Sequence, residues 1–486
     1  MTESAAAATS TAATTATTGS ALASLSGAAL AAAYASGDLS PVEVAGAILD
    51  DIDERNPIIN AFSDLDPEQV LADARASEAR WMRGEPLGRL DGIPCTVKEN
   101  LYRAGIPAYA GSGASVPVMP ARNSPVVDRI LEAGGVIIGS TTMPDWGMLS
   151  SGVSSVHGIT RSPLDSTLTV GGSSSGAGAA AAAGFGTFHV GTDIGGSVRL
   201  PATWLGLATL KPSDGRIPID NPYLGRAAGP IAQSVADVAL GMSVLSRPDA
   251  RDYTSLPPED LDWDDLDLDV RGRRIAVHLE PGAGMDVDPE VPSAIELAAA
   301  VFSDAGAEIV ELAPFMNDRF LDELDLFWRV RFWRTYVDLS PEAKARVLPF
   351  ISTWVHGGAD VSGRRTLEAY DSIAEMRRVT VEATHPFDAV LSPVSPVAAF
   401  PAEWPMPWGD DDQRMSHIAF TAPYNMTGQP SSSVNCGFTA DGRTIGLQIT
   451  GRRFADLETL RFTAWYERAR PASAVPEFPM AIRSGG

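Results

Sequence analysis

The sequence predicts an α/β fold in which helices cover both faces of a sheet. Three observations lead to this expectation. Segments with apolar residues at helical spacing alternate with short apolar segments rich in β-branched residues, glycines separate the two kinds of segment, and 44% of the 486 residues are hydrophobic. Such alternation is typical of a sheet with helices packed against it, and a chain of this length can bury a large core.

Two helices are predicted before the first strand. In DLSPVEVAGAILDDIDERNPIINAF, Ser40 is a candidate N-cap, Pro41 occupies the first helical position and Glu43 completes a capping box. Apolar residues then recur at helical spacing. The segment QVLADARASEARWMRG predicts a second helix that ends at Gly84.

The middle of the chain alternates between strands and helices. The apolar segment Ile93–Val97 predicts a buried strand with Lys98 at its end. The segment VVDRILEAGGVIIGSTTM predicts a helix, a glycine stop and a strand over Val136–Gly139. The segment GTFHVGTDIGGSVRLPA predicts a further strand, then a glycine turn that contains Ser197, and then a short segment in which the chain turns back. GRRIAVHLE and FDAVLSPVSP are strand candidates, and PSAIELAAAVFSDAGAEIVEL predicts a helix followed by a strand.

Three segments differ from this alternating pattern. Residues 1–24 are a low-complexity Ala/Thr/Ser segment, and we expect a disordered extension ahead of one domain over residues 25–486. Residues 252–270 predict an acidic surface excursion. Residues 315–380 are helical in pattern, and we expect them to form an inserted cap over one end of the sheet. The aromatic residues of this segment include Phe320, Phe327, Trp328, Phe332, Trp333, Tyr336 and Trp354.

Composition excludes several classes of function. A net charge of −24 disfavours binding to nucleic acid. The N-terminus lacks a basic, apolar leader and no long apolar segment occurs, so we expect a cytoplasmic protein without a membrane span. The two cysteines, Cys95 and Cys436, are far apart, and the six histidines show no metal-ligand spacing. We therefore expect no disulfide framework, no metal and no cofactor.

The serine run VGGSSSGAG, residues 170–178, allows three interpretations. It matches the GxSxG elbow of α/β-hydrolases with Ser174 as nucleophile, but the preceding segment is a poor strand and no later histidine has an obvious loop setting. A phosphate cradle is disfavoured because GK[ST] and GxGxxG are absent. The third interpretation combines Ser173 and Ser197 with Lys98, because a buried lysine can be neutral and can serve as a base.

Ten segments in order then resemble the amidase signature family over roughly residues 25–470. They are DGIPCTVKEN, AGGVIIGSTTMPDWG, GITRSP, GGSSSGAGAA, GTDIGGSVRLPA, GLATLKPSDGRIP, GPIAQSVADVAL, FDAVLSPVSP, YNMTGQP and IGLQITGRRFAD. The resemblance implies a three-layer α/β/α fold with a large, mixed, twisted central sheet and a helical cap insertion. It also implies that Ser197 is the nucleophile, that Ser173 is a bridging serine on a cis peptide, and that Lys98 is the base.

The resemblance implies roles for the neighbouring residues as well. The backbone N–H groups of Ile194, Gly195, Gly196 and Ser197 resemble an oxyanion hole, which favours the charged transition state. The carboxylate of Asp193 and the guanidinium of Arg199 resemble the ion pair that holds this turn. Ser174 and Thr192 are expected to support the site, with Ser174 hydrogen-bonded within it.

The expected function is hydrolysis of carboxylic amides through an acyl-enzyme. Aryl or apolar amides and anilides are favoured, and esters and carbamates are further substrates to expect, with a monomer or homodimer acting on small molecules. Three alternatives remain: a non-catalytic homologue, a Ser-His-Asp hydrolase, and an A-type subunit of a glutaminyl-tRNA amidotransferase. Cys95, Cys436, Ser175 and the segment GSTTMPDWG depart from the family pattern, the last beside the expected pocket.

Overall fold

The fold is a three-layer α/β structure around one large mixed sheet. The computed structural model describes Leu22 and residues 25–478. Except for Leu22, the segment predicted to be a disordered extension, residues 1–24, lies outside these residues. Within the described part of the chain, eleven strands form the main sheet and two more form a small hairpin. This architecture confirms the predicted fold class.

The main sheet has the strand order β1-β3-β2-β6-β8-β7-β12-β13-β11-β9-β10. It is mixed, because β2 runs parallel to both β3 and β6, whereas β8 is antiparallel to β6. The strands are β1 (Phe62–Leu65), β2 (Pro94–Lys98), β3 (Val136–Thr141), β4 (Val153–Ser154), β5 (Gly158–Ile159), β6 (Phe188–Asp193), β7 (Ala208–Lys211), β8 (Ala227–Ala232), β9 (Arg274–Val277), β10 (Glu308–Glu311), β11 (Ala389–Pro393), β12 (Ser431–Phe438) and β13 (Thr444–Thr450).

Fourteen α-helices lie within the described residues. They are α1 (Gly27–Ser36), α2 (Pro41–Ile59), α3 (Pro67–Arg83), α4 (Pro125–Glu132), α5 (Ser175–Ala183), α6 (Arg199–Leu205), α7 (Val235–Leu245), α8 (Glu290–Asp304), α9 (Asp318–Val337), α10 (Pro341–Lys344), α11 (Pro349–His356), α12 (Gly363–Thr384), α13 (Ala422–Met426) and α14 (Asp456–Ala469). The predicted capping box of Ser40 and Glu43 is present at the start of α2. No helix of residues 25–478 is both long and apolar enough to cross a membrane.

Strand boundaries differ slightly from the sequence-based expectation. Strand β2 begins one residue later than predicted and includes Lys98, and β3 continues to Thr141. Both extensions come from pairing between the two strands, in which Lys98 is the partner of Thr141. Because β2 and β3 are parallel, the last residues of both lie at the same edge of the sheet.

Helix α5 follows the serine run directly and is buried along its whole length. Its sequence, SGAGAAAAA, consists of small residues. Because these side chains are small, the helix backbone can pack closely against neighbouring elements of the fold. This burial fixes the serine run that precedes the helix beside the sheet.

Helices α9 to α12 form the predicted helical segment over residues 315–380. They pack around a second apolar cluster that includes Trp328, Ile351 and Trp354. The same cluster contains Leu200 of α6 and Ile418. The aromatic residues of this segment are therefore partly core residues, and some of them reach the surroundings of Ser197.

Candidate active site

Two parallel strands bring the predicted base to the edge of the sheet. Lys98 is the last residue of β2, and Thr192 and Asp193 are the last residues of β6. The carboxyl ends of neighbouring parallel strands meet at one edge, so these side chains become neighbours. Lys98 Nζ lies 3.2 Å from Thr192 Oγ1, which also accepts a hydrogen bond from Asn100 Nδ2 at 3.1 Å.

The serine run lies against Lys98. Lys98 Nζ is 2.9 Å from Ser173 Oγ and 3.2 Å from Ser174 Oγ. The peptide bond between Gly172 and Ser173 is cis. Ser174 is fully buried, and its hydroxyl donates to the Thr192 carbonyl oxygen at 3.1 Å and accepts from the Thr192 N–H at 3.2 Å. Ser174 thus ties the loop to β6, which leaves it poorly placed as an exposed elbow nucleophile.

The Lys98 amine is fully buried. Burial lowers its pKa well below the ordinary lysine value because it disfavours the charged form, and the positive charge of Arg226 lowers it further. The carboxylates of Asp193 and Glu99 act in the opposite direction. The net effect favours a neutral amine, which is the form that can accept a proton.

Ser197 occupies the turn after β6 and is half-buried. Its carbonyl oxygen accepts a hydrogen bond from the Ser174 N–H at 3.2 Å, so the turn and the serine run are adjacent. Within residues 25–478, no hydrogen bond joins Ser197 Oγ to Ser173 Oγ. The proton path that the sequence suggested is therefore formed from Lys98 to Ser173, while the step from Ser173 to Ser197 is open in this structure.

The turn around Ser197 is held by the Asp193 carboxylate. Its Oδ1 accepts from the Gly196 N–H at 2.7 Å, and its Oδ2 accepts from the Val198 N–H at 3.1 Å. Gly196 has φ +125°, a backbone conformation that side chains rarely allow. The Gly196 N–H was expected among the oxyanion donors, but it is already used by Asp193. The N–H groups of Ile194 and Gly195 donate to no acceptor among the described residues, and both residues line the cavity beside Ser197.

A buried arginine completes the support of this turn. Arg199 and Asp193 have no exposed side-chain surface and form a two-bond ion pair, with distances of 3.1 Å from Nε and 3.0 Å from Nη2. Burial raises the pKa of Asp193, but the Arg199 charge outweighs it, and the net pKa lies below the usual carboxyl range. Arg199 also donates to Asn425 Oδ1 at 2.6 Å and to Gln448 Oε1 at 2.9 Å.

These two amide side chains were missed by the sequence reasoning, although Asn425 lies in the segment YNMTGQP and Gln448 in IGLQITGRRFAD. Asn425 Nδ2 donates to Asp193 Oδ1 at 2.8 Å as well. The two residues come from α13 and β13, so the C-terminal part of the chain closes the network around Asp193. The resemblance of both segments to the family was the available signal.

A cavity of about 230 Å³ opens onto Ser197. Aromatic side chains form much of its wall: the Trp146 ring is stacked on the Phe332 ring with 6.3 Å between centroids and 14° between planes. A Cβ built on Gly195 would lie 3.2 Å from Trp328, which places that indole directly over the turn. The remaining lining residues include Asn100, Tyr102, Met143, Met148, Leu149, Ser150, Leu200, Asp220, Asn221, Arg226, Arg331, Met415, His417 and Ile418.

One histidine lines the same cavity. His417 Nε2 is 2.5 Å from Ser150 Oγ, and burial lowers its pKa to about 3. Its buried Nδ1 has no hydrogen-bond partner in the described part of the chain. A Ser-His-Asp triad needs a carboxylate at that nitrogen, so this arrangement does not fit the Ser-His-Asp alternative. Within residues 25–478, no three His, Cys, Asp or Glu side chains are grouped to hold a metal ion.

Comparison with known proteins identifies related amidases. A family model described as Amidase matches residues 43–460. An acylamidase of Rhodococcus erythropolis is 34% identical over 457 residues, covering 92% of this chain and 96% of that protein. A glutamyl-tRNA(Gln) amidotransferase component of Chloroflexus aurantiacus is 33% identical over 471 residues, covering 90% and 95%.

Solved structures give the same result. A bacterial aryl acylamidase of the amidase signature enzymes has a TM-score of 0.85 at 28% identity, covering 92% of this chain and 96% of that one. A 6-aminohexanoate cyclic dimer hydrolase has a TM-score of 0.81 at 25% identity, covering 93% and 98%. Because the family model spans most of the chain and the relatives match it nearly end to end, the chain belongs to the amidase signature family and is an amide hydrolase.

Proposed function

We propose that the chain hydrolyses aryl and apolar amides, including anilides, by transferring the acyl group to Ser197. The observation that carries this proposal is the position of Ser197 on the wall of an aromatic cavity, hydrogen-bonded through its carbonyl oxygen to the serine run that contacts buried Lys98. A serine becomes a nucleophile only when a base removes its proton. Esters and carbamates present a comparable carbonyl and are further substrates under this proposal.

The reaction would proceed in two halves. Neutral Lys98 accepts the Ser173 proton while Ser173 accepts the Ser197 proton, and Ser197 Oγ forms a bond to the amide carbon. The N–H groups of Ile194 and Gly195 stabilise the resulting oxyanion. The C–N bond then breaks and the relayed proton passes to the leaving amine. Water attacks the acyl-enzyme by the same proton path, which releases the acid and restores Ser197.

The aromatic wall supports an aryl substrate. Trp146 and Phe332 present stacked rings to the cavity, and Trp328 covers the turn at Gly195. Apolar walls with a few convergent polar groups are typical of small-molecule sites, and flat rings pack well against aromatic side chains. The acylamidase and aryl acylamidase relatives carry names that agree with this choice.

The test is acylation by a fluorophosphonate probe, followed by intact mass and peptide mapping. We expect a single adduct on Ser197, absent in Ser197→Ala and slowed at least about a hundredfold in Lys98→Met. Ser150→Ala serves as the matched control, because Ser150 is a cavity serine that contacts a histidine. An adduct on Ser150 or Ser174 would refute the proposal.

A second experiment addresses the amidotransferase alternative, which the relatives of that name favour. Purified chain alone is incubated with 4-nitroacetanilide and release of 4-nitroaniline is followed. Turnover without any other protein added supports the proposed amidase. A chain that is labelled on Ser197 but hydrolyses amides only with partner proteins would instead be an amidotransferase component.

A further inference from the structure

Two arginines line the same cavity as Ser197 and come from separate elements. Arg226 precedes β8 directly, and Arg331 belongs to α9. Arg226 Nη1 donates to the carbonyl oxygen of Asn221 at 3.1 Å. The guanidinium carbon of Arg331 lies 3.6 Å from the centroid of the Tyr223 ring. Both side chains are thus held in place, one by a backbone oxygen and one by an aromatic face.

Neither guanidinium has a carboxylate at ion-pair distance among the described residues. The other charged residue of the cavity wall, Asp220, is already paired with Arg122 at 3.1 Å. Burial lowers the pKa of Arg226, and repulsion by the nearby positive charge of Arg331 lowers it further. The carboxylates of Asp220 and Asp252 act in the opposite direction, but neither forms a direct ion pair with Arg226. Two arginines without a direct ion pair among the described residues therefore line the cavity beside Ser197.

Within the described part of the chain, the Arg226 side chain makes one hydrogen bond, and Arg331 contacts aromatic side chains. A guanidinium that stacks by its face keeps the N–H groups of its edge available for in-plane hydrogen bonds. The guanidinium carbon of Arg331 lies over the Tyr223 ring and 5.2 Å from the Phe332 ring centroid. Both arginines are half-buried, and a cation that is partly removed from water is stabilised by an anionic ligand. Lowering the pKa of Lys98 is one role for the Arg226 charge. Arg331 is not among the charges that shift this pKa, so its position in the cavity needs another explanation.

We propose that Arg226 and Arg331 form an anion subsite, and that the enzyme prefers amides whose aryl half carries a carboxylate. A guanidinium fork matches the geometry of a carboxylate and binds it through charge-assisted hydrogen bonds. The ring of such a substrate lies against Phe332, which directly follows Arg331 in α9. This inference rests on the proposed function, because it names the substrate class of the Ser197 site.

The test compares three chromogenic anilides. They are 5-acetamido-2-nitrobenzoate, 4-nitroacetanilide, and 3-methyl-4-nitroacetanilide, in which a methyl group replaces the carboxylate. We expect kcat/KM to be at least about tenfold higher for the carboxylate than for either neutral anilide, the amount typical of a hydrogen bond to a charged group. Equal values for the three substrates would overturn the inference while leaving the proposed amidase intact.

Variants on α9 identify the source of the preference. Arg331→Gln should bring the three kcat/KM values within about twofold of one another, mainly through KM for the carboxylate. Arg334→Gln is the matched control, because Arg334 lies one turn later on the same helix and is exposed. A preference that survives in Arg331→Gln, or is lost equally in Arg334→Gln, would overturn the inference. Thermal unfolding of both variants verifies that they are folded.

A binding measurement separates this inference from the proposed function. Calorimetric titration of the Ser197→Ala variant with benzoate and with benzamide requires no catalysis. Tighter binding of benzoate, lost when Arg331→Gln is added, supports the subsite even if no anilide is hydrolysed. No preference for benzoate would overturn the subsite, whereas absence of hydrolysis and of a Ser197 adduct would overturn the proposed function.

Discussion

The buried pair of Asp193 and Arg199 gives the sharpest prediction. Replacing Arg199→Met removes a guanidinium with no exposed surface and leaves the Asp193 carboxylate buried without its counter-charge. Removing one partner of a buried ion pair destabilises a protein by about 3–5 kcal/mol. Unfolding entropy of about 2.1 cal/mol/K per residue amounts to about 1 kcal/mol/K for 486 residues. We therefore expect Tm to fall by about 3–5 °C in scanning calorimetry.

The same substitution should lower activity more than stability alone explains. Asp193 accepts from the N–H groups of Gly196 and Val198, the two residues that flank Ser197. A carboxylate released from Arg199 no longer fixes this turn, and misplaced oxyanion donors reduce kcat by about a hundredfold or more. The assay is kcat on 4-nitroacetanilide at a temperature well below Tm.

A second buried pair provides the control. Arg216 Nε lies 3.0 Å from Asp456 Oδ2, with side chains 3% and 0% exposed, and neither residue lines the cavity. Arg216→Met should lower Tm by a comparable amount and leave kcat unchanged. The reasoning is refuted if Arg199→Met lowers kcat no further than Arg216→Met does, or if its Tm equals that of the wild type.

Three further outcomes are expected. In the proposed mechanism neutral Lys98 is the base, so kcat/KM should rise with pH through the pKa of Lys98, and Arg226→Gln should move this rise to higher pH by removing a charge that lowers that pKa. Gly195→Ala places a Cβ 3.2 Å from Trp328, so kcat/KM for anilides should fall about tenfold while Tm changes little. The two cysteines are buried, and burial raises the pKa of the Cys95 thiol to about 12, so mass spectrometry should find no iodoacetamide adduct on the native protein and two after unfolding. A pH profile unmoved in Arg226→Gln, an unaltered rate in Gly195→Ala, or a labelled native thiol would each contradict the corresponding argument.

Local sequence signals predicted much of the fold. The capping box at Ser40 and Glu43 requires only neighbouring residues, and the structure contains it. The alternation of helical and strand patterns likewise predicted the α/β class, which the structure confirms. Strand ends were less accurate, because Lys98 and Thr141 are added to their strands by pairing with each other. Pairing between distant segments leaves no mark in the spacing of either segment.

Some features of the site are also visible in the local sequence, whereas others depend on the three-dimensional arrangement. Lys98, Ser173 and Ser197 lie in glycine-rich or strand-end segments that resemble the family, so the sequence could propose them as site residues, and the structure brings Lys98 and Ser173 into contact. The hydrogen bond from Gly196 to Asp193 depends on the direction of one peptide N–H, which residue identity does not determine. Arg226 and Arg331 carry no local signal either, because a loop and a helix more than 100 residues apart bring them to one cavity.

The charges around Lys98 connect the base to the substrate proposed here. Burial and the Arg226 cation both favour the neutral amine. In the proposed substrate complex, a carboxylate bound by Arg226 and Arg331 would offset that cation and raise the pKa of Lys98 above that in the free enzyme. Burial remains the larger cause and keeps the amine available as a base. In the proposed mechanism the amine leaves with its carboxylate once Ser197 is acylated, and the full charge of Arg226 would then act on Lys98 again. Departure of an anionic leaving group would therefore lower the pKa of Lys98 again before deacylation and favour the neutral amine that the proposed mechanism needs to activate water.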